Sequence, residues 1–467
     1  MFGKVYKGRL GMRIHFIAIG GAVMHNLAIS LAGQGHQVSG SDDQIVEPSK
    51  SRLKKIGLLP AKLGWFPEQI TEDIDAVILG MHADVDNPEL LKAQELNIKI
   101  YSFPEFIYEQ SMNKTRVVVA GTYGKTTIMS MVMHVLKKLG RDFDYLVGAQ
   151  LEGFDSLVKL TTHNKLILLE GDEYYASPID HRSKFHLFHP NIALISGVEW
   201  NESRISIQKE EYFRQFETFV DTISAKGTLI YNKDNNNLRE IVEDTADCKI
   251  NRHGYKLPEY SINKGVTYLH LGEERIPLQV FGKLNLSNIA GAYTLCEWLG
   301  VKRVEFYEAI KDFKSSIRYL EFVASDNESV VYQDFNFSSY KLKTSIHAVK
   351  EQFPEQGLVT IIELNPYDAL DKNFLNQYRS SMDESDYAVV LVNKDAIKEK
   401  NILIGNLETE IAEVFNHQNL TFLTDLPSLE TYLERFKSLG FNLLFMLSPN
   451  HNSINVVSFS DKFFKNY

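Results

Sequence analysis

Cysteine is nearly absent from this chain, which has only Cys248 and Cys296 among its 467 residues. Two cysteines cannot form a disulfide framework or a zinc site built from several thiolates. Long hydrophobic runs are also missing, since no apolar segment approaches the roughly 18–20 residues needed to cross a bilayer. The basic residues near the start are not followed by a signal-peptide cleavage pattern. We therefore expect a soluble, cytoplasmic protein.

An excess of positive charge is missing too. Fifty lysines and arginines against 60 aspartates and glutamates give a net charge of −10, which argues against wrapping by nucleic acid but permits a local basic pocket for phosphates. Hydrophobic residues make up 44% and charged residues 24% of the chain, as in ordinary globular proteins. At about 150 residues per domain, the length predicts about three domains.

Apolar runs typical of buried strands alternate with helical patterns along the whole chain. The first run, at residues 13–19, has polar turns and a helical pattern after it, and similar units start near residue 115 and again beyond residue 316. Continuous apolar strands favour parallel sheets covered by helices on both faces. The sequence therefore predicts an α/β protein with domains at 1–112, 113–314 and 315–467.

The most specific motif is Gly121-Thr-Tyr-Gly-Lys-Thr-Thr127, between a predicted strand and a predicted helix. Glycines let backbone N–H groups turn towards a phosphate, and the helix N-terminus adds a positive dipole end. Lys125 supplies a charge for the β- and γ-phosphates, and Thr126 a hydroxyl for Mg²⁺. The usual P-loop has glycine where this chain has Val119, so a glycine-rich turn with a chance lysine is the alternative. The residues predicted to bind ATP here are Gly121, Thr122, Tyr123, Gly124, Lys125, Thr126 and Thr127.

An acidic turn, Leu169-Glu-Gly-Asp-Glu-Tyr174, follows another predicted strand of the same block. By itself such a turn is more often a solvated loop than a site. Next to a phosphate loop, at the carboxyl ends of parallel strands, the metal interpretation is favoured because Mg²⁺ prefers oxygen ligands. The acidic turn is therefore a candidate metal site.

The first block contains a glycine turn, Ala18-Ile-Gly20-Gly21, with Asp42 at the end of the next predicted strand. The first glycine of the dinucleotide pattern is replaced by Ala18, so the evidence for a nicotinamide cofactor is poor. The turn fits a sugar-nucleotide diphosphate on a helix N-terminus, or a tight turn with no ligand. A nicotinamide-dependent oxidoreductase would leave Lys125 and Glu173 without a role.

Together these motifs resemble those of the Mur ligases, in which a similar phosphate loop binds ATP and a similar acidic segment binds metal. The opening run and the Ser39-Gly-Ser-Asp42 segment look like those of members that take UDP-N-acetylmuramate. Segments 79–89 and 180–185 look closest to those of the murein peptide ligases, which serve peptidoglycan recycling. The resemblance covers nearly the whole chain, firmly to about residue 300.

The resemblance implies a Rossmann-like UDP-binding domain, a central P-loop-type ATP-binding domain and a C-terminal Rossmann-like domain. It also implies an ATP-dependent amide ligase of cell-wall synthesis or recycling, with ATP and Mg²⁺ as cofactors. ATP would convert the carboxylate of UDP-N-acetylmuramate into an acyl phosphate, which the amine of a murein tripeptide, or another peptide or amino-acid acceptor, would attack. The implied catalytic residues are Lys125, Glu173 and Asp334, and the implied metal ligands are Thr126, Glu173 and Glu202. Further nucleotide contacts are implied for Asn285, Asn288 and Arg318. The implied substrate contacts are Gly20, Gly21, Asp42 and His82.

Several positions depart from the family pattern. Asn201-Glu202 replaces an Asp-His pair, Leu284 replaces a histidine, Tyr319 replaces a basic residue, and the segment after Asp334 lacks a His and a Pro. Glu202 could replace the histidine as a metal ligand and preserve an active ligase. Alternatively, each lost donor costs about 10²–10³ in rate, and the chain is a degenerate homologue that binds ATP or UDP-sugar without efficient turnover.

Overall fold

The computed structural model describes residues 11–200, 207–244, 249–314, 320–335, 338–364, 369, 371–393, 404–437, 439–447 and 454–464. Two predicted site residues, Glu202 and Arg318, lie outside the described residues. Tertiary contacts divide the chain into two compact units. Unit 1 comprises Met1–Lys256 and Asn288–Ala309, and unit 2 comprises Leu257–Ser287 and Ile310–Tyr467.

The first sheet of unit 1 has four parallel strands. They are β1 (Arg13–Ile17), β2 (Gln37–Ser41), β3 (Ala76–Leu79) and β4 (Ile100–Ser102). Their order is β2-β1-β3-β4. The predicted apolar run forms β1, and its glycine turn lies at the carboxyl end of the strand, before the first helix. Ala18 has a φ of 65°, a left-handed conformation that favours glycine, so the local backbone keeps the shape of the dinucleotide turn.

The second sheet of unit 1 has seven strands. They are β5 (Thr115–Ala120), β6 (Asp144–Leu146), β7 (Val158–Lys159), β8 (Leu166–Glu170), β11 (Ile192–Ile195), β12 (Thr228–Asn232) and β13 (Asn251–Tyr255). Their order is β13-β12-β11-β5-β8-β6-β7, and only the pairing of β6 with β7 is antiparallel. A separate hairpin consists of β9 (Tyr175–Ser177) and β10 (Asp180–Ser183).

Helices connect the strands of both sheets in unit 1. They are α1 (Ala22–Gly33), α2 (Ser49–Lys55), α3 (Pro88–Glu95), α4 (Phe103–Ser111), α5 (Lys125–Lys138), α6 (Lys209–Asp221) and α7 (Asn236–Asp244). Short 3₁₀ turns occupy Pro67–Gln69 and Lys184–Phe188. Two later helices, α8 (Lys283–Trp298) and α9 (Arg303–Ile310), contain two of the three sequence boundaries between the two units.

Unit 2 contains a small antiparallel sheet and a larger mixed one. The small sheet is β14 (Tyr260–Asn263), β15 (Val266–Leu271) and β16 (Glu274–Pro277). The larger sheet is β17 (Glu321–Ser325), β18 (Val330–Phe335), β19 (Gly357–Leu364), β20 (Tyr387–Val392), β21 (Leu420–Leu423) and β22 (Phe441–Leu447). Its order is β17-β18-β22-β19-β20-β21, with only β17 antiparallel to its neighbour.

The helices of unit 2 cover these sheets. They are α10 (Ser339–Gln352), α11 (Lys372–Asn376), α12 (Ile404–Phe415), α13 (Leu426–Glu434) and α14 (Val456–Phe464). The small sheet packs on α10 through a hydrogen bond of 2.8 Å from the Thr267 hydroxyl to Gln352. Leu443 and Phe445 of the central strand β22 are fully buried in the apolar core between β22 and α14.

The α/β class with parallel sheets is confirmed, and strands start where the apolar runs predicted them. The domain limits at 112/113 and 314/315 stay a prediction, although the small sheet at 260–277 belongs by its contacts to unit 2. In the described part of the chain, no helix is both long enough and apolar enough to span a membrane.

A buried charge fixes the start of β6 in the second sheet. Asp144 is fully buried and forms an ion pair with Lys114, which is 9% exposed. Its carboxylate also accepts hydrogen bonds from the Thr161 hydroxyl at 2.9 Å and the Asn164 amide at 2.8 Å. Because the carboxylate has four partners, including the Thr161 backbone N–H, its burial is compensated.

Replacing Asp144 with alanine leaves the buried ammonium of Lys114 without its counter-charge. We expect Asp144→Ala to lower the free energy of unfolding by about 3–5 kcal/mol, measured as a shift of the urea midpoint. Asp155→Ala is the matched control, because Asp155 is exposed and its loss should change stability by at most about 0.5 kcal/mol. Equal shifts in the two variants would contradict the role of the buried pair.

Candidate active site

The predicted phosphate loop connects β5 to α5 and depends on two glycines in left-handed conformations. Gly121 has a φ of 132° and Gly124 a φ of 79°. A Cβ at Gly124 would lie 2.5 Å from Oδ1 of Asn288, and one at Gly121 would overlap the hydroxyl of Ser196. Gly124 precedes the first residue of α5 and has no side chain to cap it, so the first N–H groups of the helix stay available to a phosphate.

Lys125 is held by a carboxylate of the acidic turn. Its Nζ lies 2.8 Å from Oε2 of Glu173, and both side chains are mostly buried. Burial alone lowers the pKa of Lys125, but the carboxylate of Glu173 and two further carboxylates nearby raise it above the ordinary lysine value. The lysine is therefore cationic and directed towards the turn. The Tyr212 hydroxyl donates to the other oxygen of Glu173 at 3.3 Å.

Thr126 contacts a different carboxylate from the one predicted. Its hydroxyl donates to Oε1 of Glu170 at 2.5 Å, and Oε2 of Glu170 accepts the backbone N–H of Gly148 at 2.8 Å. Glu170 is the last residue of β8 and lies inside the acidic turn, but sequence analysis singled out Glu173. A hydroxyl and a carboxylate are hard oxygen donors that suit Mg²⁺, which also keeps waters and binds substrate phosphates.

No larger ligand cluster occurs among the described residues, where no group of three or more His, Cys, Asp or Glu side chains could hold a metal. Glu173 as a metal ligand stays a prediction, as does Glu202. Thr126 and Glu170 are the pair that the geometry offers to a magnesium ion. One or two protein oxygens are the usual protein share of such a site.

The segment after β11 is hydrogen-bonded to the phosphate loop and holds it in place. The backbone N–H of Thr122 donates to Gly197 at 2.9 Å, and its hydroxyl accepts the N–H of Glu199 at 3.0 Å. The Tyr123 hydroxyl accepts from Asn235 at 3.1 Å. A Cβ at Gly197 would lie 2.5 Å from Cζ of Tyr123, so the tyrosine ring needs a glycine there.

Glu199 completes this network as a half-buried carboxyl. Its Oε1 accepts a hydrogen bond of 3.0 Å from the Asn235 amide, and burial raises the pKa of Glu199 above the ordinary value. Sequence analysis did not identify Glu199, Asn235 or Tyr212 as part of the site, because their contacts join residues far apart in the chain.

Two asparagines of α8 carry buried polar atoms that lack partners among the described residues. Asn285 and Asn288 are each 2% exposed. Oδ1 of Asn285 and Nδ2 of Asn288 have no hydrogen-bond partner there. Buried polar groups are rarely left unpaired unless a water, an ion or a ligand satisfies them. Asn288 borders Gly124 of the loop, so its free amide fits a nucleotide bound at the loop.

A second site in unit 1 is a cavity of about 770 Å³ at the carboxyl ends of the first sheet. All four predicted substrate residues line it: Gly20, Gly21, Asp42 and His82. The carboxylate of Asp42 accepts the N–H of Gly20 at 2.6 Å, and burial raises the pKa of Asp42. A Cβ at Gly20 would lie 2.9 Å from that carboxylate, so the turn requires glycine.

The cavity lining also includes four residues that were not predicted: His25, Asn26, Arg52 and Gln150. Arg52 donates to Asn26 at 3.3 Å and to Gln150 at 3.0 Å. His25 lies beside them and contacts the carbonyl of Gly21 at 2.8 Å through Nδ1. Burial lowers the pKa of His25, so the ring is neutral at pH 7 and Arg52 is the cation of this group. The wall opposite the glycine turn comes from the loop between β6 and β7.

In unit 2, Asp334 is fully buried at the end of β18. Its carboxylate accepts from the Ser345 hydroxyl at 2.6 Å and lies 3.3 Å from Nζ of Lys341. The Phe335 backbone N–H also donates to it at 2.7 Å. Lys341 thus supplies a cation to Asp334 in the region where the family pattern has a histidine and this chain does not.

Comparisons with known proteins identify the family. The model of the Mur ligase family catalytic domain matches residues 13–115, and that of the Mur ligase middle domain matches residues 119–296. The UDP-N-acetylmuramate–L-alanine ligase of Sulfurihydrogenibium sp. is 26% identical over 447 residues, which are 93% of this chain and 94% of the relative. The enzyme of the same name from Persephonella marina is 28% identical over 374 residues, 78% of each chain.

Solved structures agree on the fold. The UDP-N-acetylmuramate-alanine ligase of Thermotoga maritima superposes with a TM-score of 0.65 at 21% identity, covering 97% of this chain and 98% of that one. The murein peptide ligase of Psychrobacter arcticus gives a TM-score of 0.61 at 20% identity, covering 93% and 95%. The matches to the two Mur ligase domain models contradict the alternative of a nicotinamide-dependent oxidoreductase. The chain is therefore a member of the Mur ligase family, whose members are ATP-dependent amide ligases.

Proposed function

We propose that this chain uses ATP to activate the carboxylate of UDP-N-acetylmuramate and joins it to the amine of a murein tripeptide. The observation that supports the proposal is the phosphate loop, where several groups that can bind a nucleotide or a metal lie together. The uncapped N-terminus of α5, the cation of Lys125 and the pair of Thr126 and Glu170 lie at the ends of neighbouring strands. The free amide of Asn288 supplies a donor for the nucleotide.

In the proposed reaction, an oxygen of the muramyl carboxylate attacks the γ-phosphorus of ATP, and ADP leaves. The acceptor amine then attacks the carbonyl carbon of the acyl phosphate, inorganic phosphate leaves, and the nitrogen loses a proton to give the amide. Such phosphoryl transfer depends mainly on positioning and on stabilisation of charge. Lys125 neutralises the migrating phosphoryl group, and the backbone N–H groups of the loop orient the phosphates.

Thr126 and Glu170 would hold a magnesium ion, which would supply positive charge to stabilise the phosphates. Glu173 keeps Lys125 in place through their ion pair. Asp172 pairs with Lys184, as Glu173 does with Lys125. Glu170 is bonded to neutral groups, the Thr126 hydroxyl and the Gly148 N–H, so a divalent ion would offset its charge when a polyanionic nucleotide binds. Glu202 as an additional ligand stays a proposal based on the family pattern alone.

The cavity of the first sheet would take the UDP moiety. Gly20 and Gly21 allow a diphosphate to approach the backbone closely, and Arg52 offers guanidinium donors beyond those used by Asn26 and Gln150. Asp42 and His82 complete the lining. The size of about 770 Å³ lies within the range of small-molecule sites.

Two acceptors have separate support. Segments 79–89 and 180–185 resemble those of murein peptide ligases, which supports the tripeptide. The curated relatives named above are L-alanine ligases by name, which supports L-alanine as the second candidate. In both cases the chemistry at Lys125 and Thr126 is the same.

Glu170 and Glu173 can be separated by their metal dependence. We expect Glu170→Gln to raise the Mg²⁺ concentration needed for half-maximal ADP binding by about tenfold or more, because an amide oxygen is a poorer ligand than a carboxylate. Glu173→Gln is the matched control and should leave the Mg²⁺ requirement nearly unchanged. Calorimetric titration of ADP at a series of Mg²⁺ concentrations measures both. If only Glu173→Gln raises the requirement, Glu173 is the ligand and our assignment fails.

The overall reaction is tested by ADP release. With UDP-N-acetylmuramate and ATP present, we expect release to depend on the acceptor and to be faster with murein tripeptide than with L-alanine. Lys125→Met should reduce the rate by at least about 10²–10³, because a charge that stabilises the transition state is lost. Faster release with L-alanine would assign that acceptor instead. ATP binding without ADP release for any acceptor would establish the degenerate homologue that binds without turnover.

A further inference from the structure

Glu170 takes part in both candidate sites of unit 1. Its Oε1 accepts the hydroxyl of Thr126 at 2.5 Å, and its Oε2 accepts the backbone N–H of Gly148 at 2.8 Å. Gly148 also lines the cavity that contains Gly20 and Asp42. One carboxylate is therefore hydrogen-bonded at one end to the phosphate loop and at the other end to the cavity wall.

The wall segment, defined as residues 148–157, connects the cavity to the first sheet. The side chain of Gln150 accepts a hydrogen bond of 3.0 Å from Arg52. Oδ1 of Asn26 accepts from Arg52 at 3.3 Å and from the backbone N–H of Leu157 at 3.2 Å. The base of the segment is closed by a backbone bond of 2.9 Å from Val147 to Leu157.

Gly148 and Gln150 are exposed on the cavity side. Farther along the wall segment, Leu151 is buried and Phe154 packs edge-on against Tyr145, so the exposed end of the wall is the part that a cavity ligand can restrict. A ligand that contacts Arg52, Gln150 or Gly148 adds contacts to the wall and restricts it. The N–H of Gly148 then holds Glu170 in one place relative to Thr126. Because both oxygens of Glu170 are engaged, a shift of the wall must move the carboxylate or break one of the two bonds.

We propose that the wall segment couples occupancy of the cavity to the position of Glu170, and thereby to magnesium-dependent nucleotide binding at the phosphate loop. Gly148 and Gln150 are positioning residues in this scheme, since they act through Glu170 and touch no reacting atom. The inference rests on the proposed function, because it takes a UDP-sugar as the cavity ligand and Mg²⁺·ATP as the loop ligand. Such coupling is reciprocal, so each ligand must raise the affinity for the other by the same factor.

The test compares the Kd of Mg²⁺·ADP with and without saturating UDP-N-acetylmuramate, measured by calorimetry on the full chain. We expect UDP-N-acetylmuramate to tighten Mg²⁺·ADP binding about fivefold or more, the lower end of typical coupling between sites. Gln150→Ala removes the bond to Arg52 and should bring this factor close to one. The same pair of titrations in EDTA should show no coupling, because Glu170 acts on the nucleotide through the metal.

Gln34→Ala is the matched control. The Gln34 amide donates to the carbonyl of Leu160 at 3.1 Å, so it joins α1 to the residue after β7 without lining the cavity or touching Glu170. The coupling factor should be unchanged in this variant. An equal loss in Gln34→Ala and Gln150→Ala would mean that general packing carries the effect, and would overturn the assignment to the wall segment.

The remaining outcomes separate the inference from the proposed function. If UDP-N-acetylmuramate and Mg²⁺·ADP both bind but neither changes the affinity for the other, the coupling is refuted and the proposed function stands. Coupling that persists in EDTA refutes the route through Glu170. If UDP-N-acetylmuramate does not bind to the wild-type chain, the proposed function fails and the inference fails with it.

Discussion

The parallel pairing of β5 with β8 on one side and β11 on the other is the constraint on which the candidate active site depends. Val119 of β5 is level with Glu170 of β8, and Ala120 is level with Ile195 of β11. The three chains therefore leave the sheet at the same edge. The phosphate loop, the acidic turn and the supporting segment at 196–199 meet there because of this register, and every contact of Lys125 and Thr126 described above follows from it.

The carboxylates and the lysines at this edge of the sheet do not balance in charge. Glu173 pairs with Lys125 and Asp172 with Lys184, whereas Glu170 is bonded to neutral groups. The carboxylate of Glu173, helped by those of Asp172 and Glu170, raises the pKa of Lys125. The negative charge of Glu170 would oppose a bare nucleotide, and a cation bound with the phosphates would offset it. This charge distribution is therefore better suited to a metal–nucleotide complex than to a free nucleotide.

The sequence predicts the parts of the site that depend on local geometry. A glycine turn between an apolar strand and a helix specifies its own backbone, so the loop at 121–127 and the turn at Gly20 and Gly21 are readable from residues alone. The choice between Glu170 and Glu173 is different. Both lie in one short acidic segment, and the strand register decides which carboxylate faces Thr126. No local pattern reports that register.

Long-range contacts were missed for the same reason. Arg52 and Gln150 are 98 residues apart, and Tyr123 and Asn235 are 112 apart. These contacts depend on the strand order of the two sheets. A pattern of apolar residues predicts the class of sheet but not the order of its strands. The order β13-β12-β11-β5-β8-β6-β7 contains crossovers that the alternation of strands and helices leaves open.

The close packing of Tyr123 on Gly197 has a consequence for the divergence of this chain from its relatives. Position 197 cannot take a side chain while Tyr123 keeps its ring, because a Cβ there would lie 2.5 Å from Cζ of that ring. A relative with an aromatic residue at position 123 is expected to have glycine at position 197. A relative with a smaller residue at position 123 can have a side chain at position 197. We therefore expect the residues at positions 123 and 197 to co-vary. The phosphate-loop motif of this chain thus includes a residue more than seventy positions away from Tyr123.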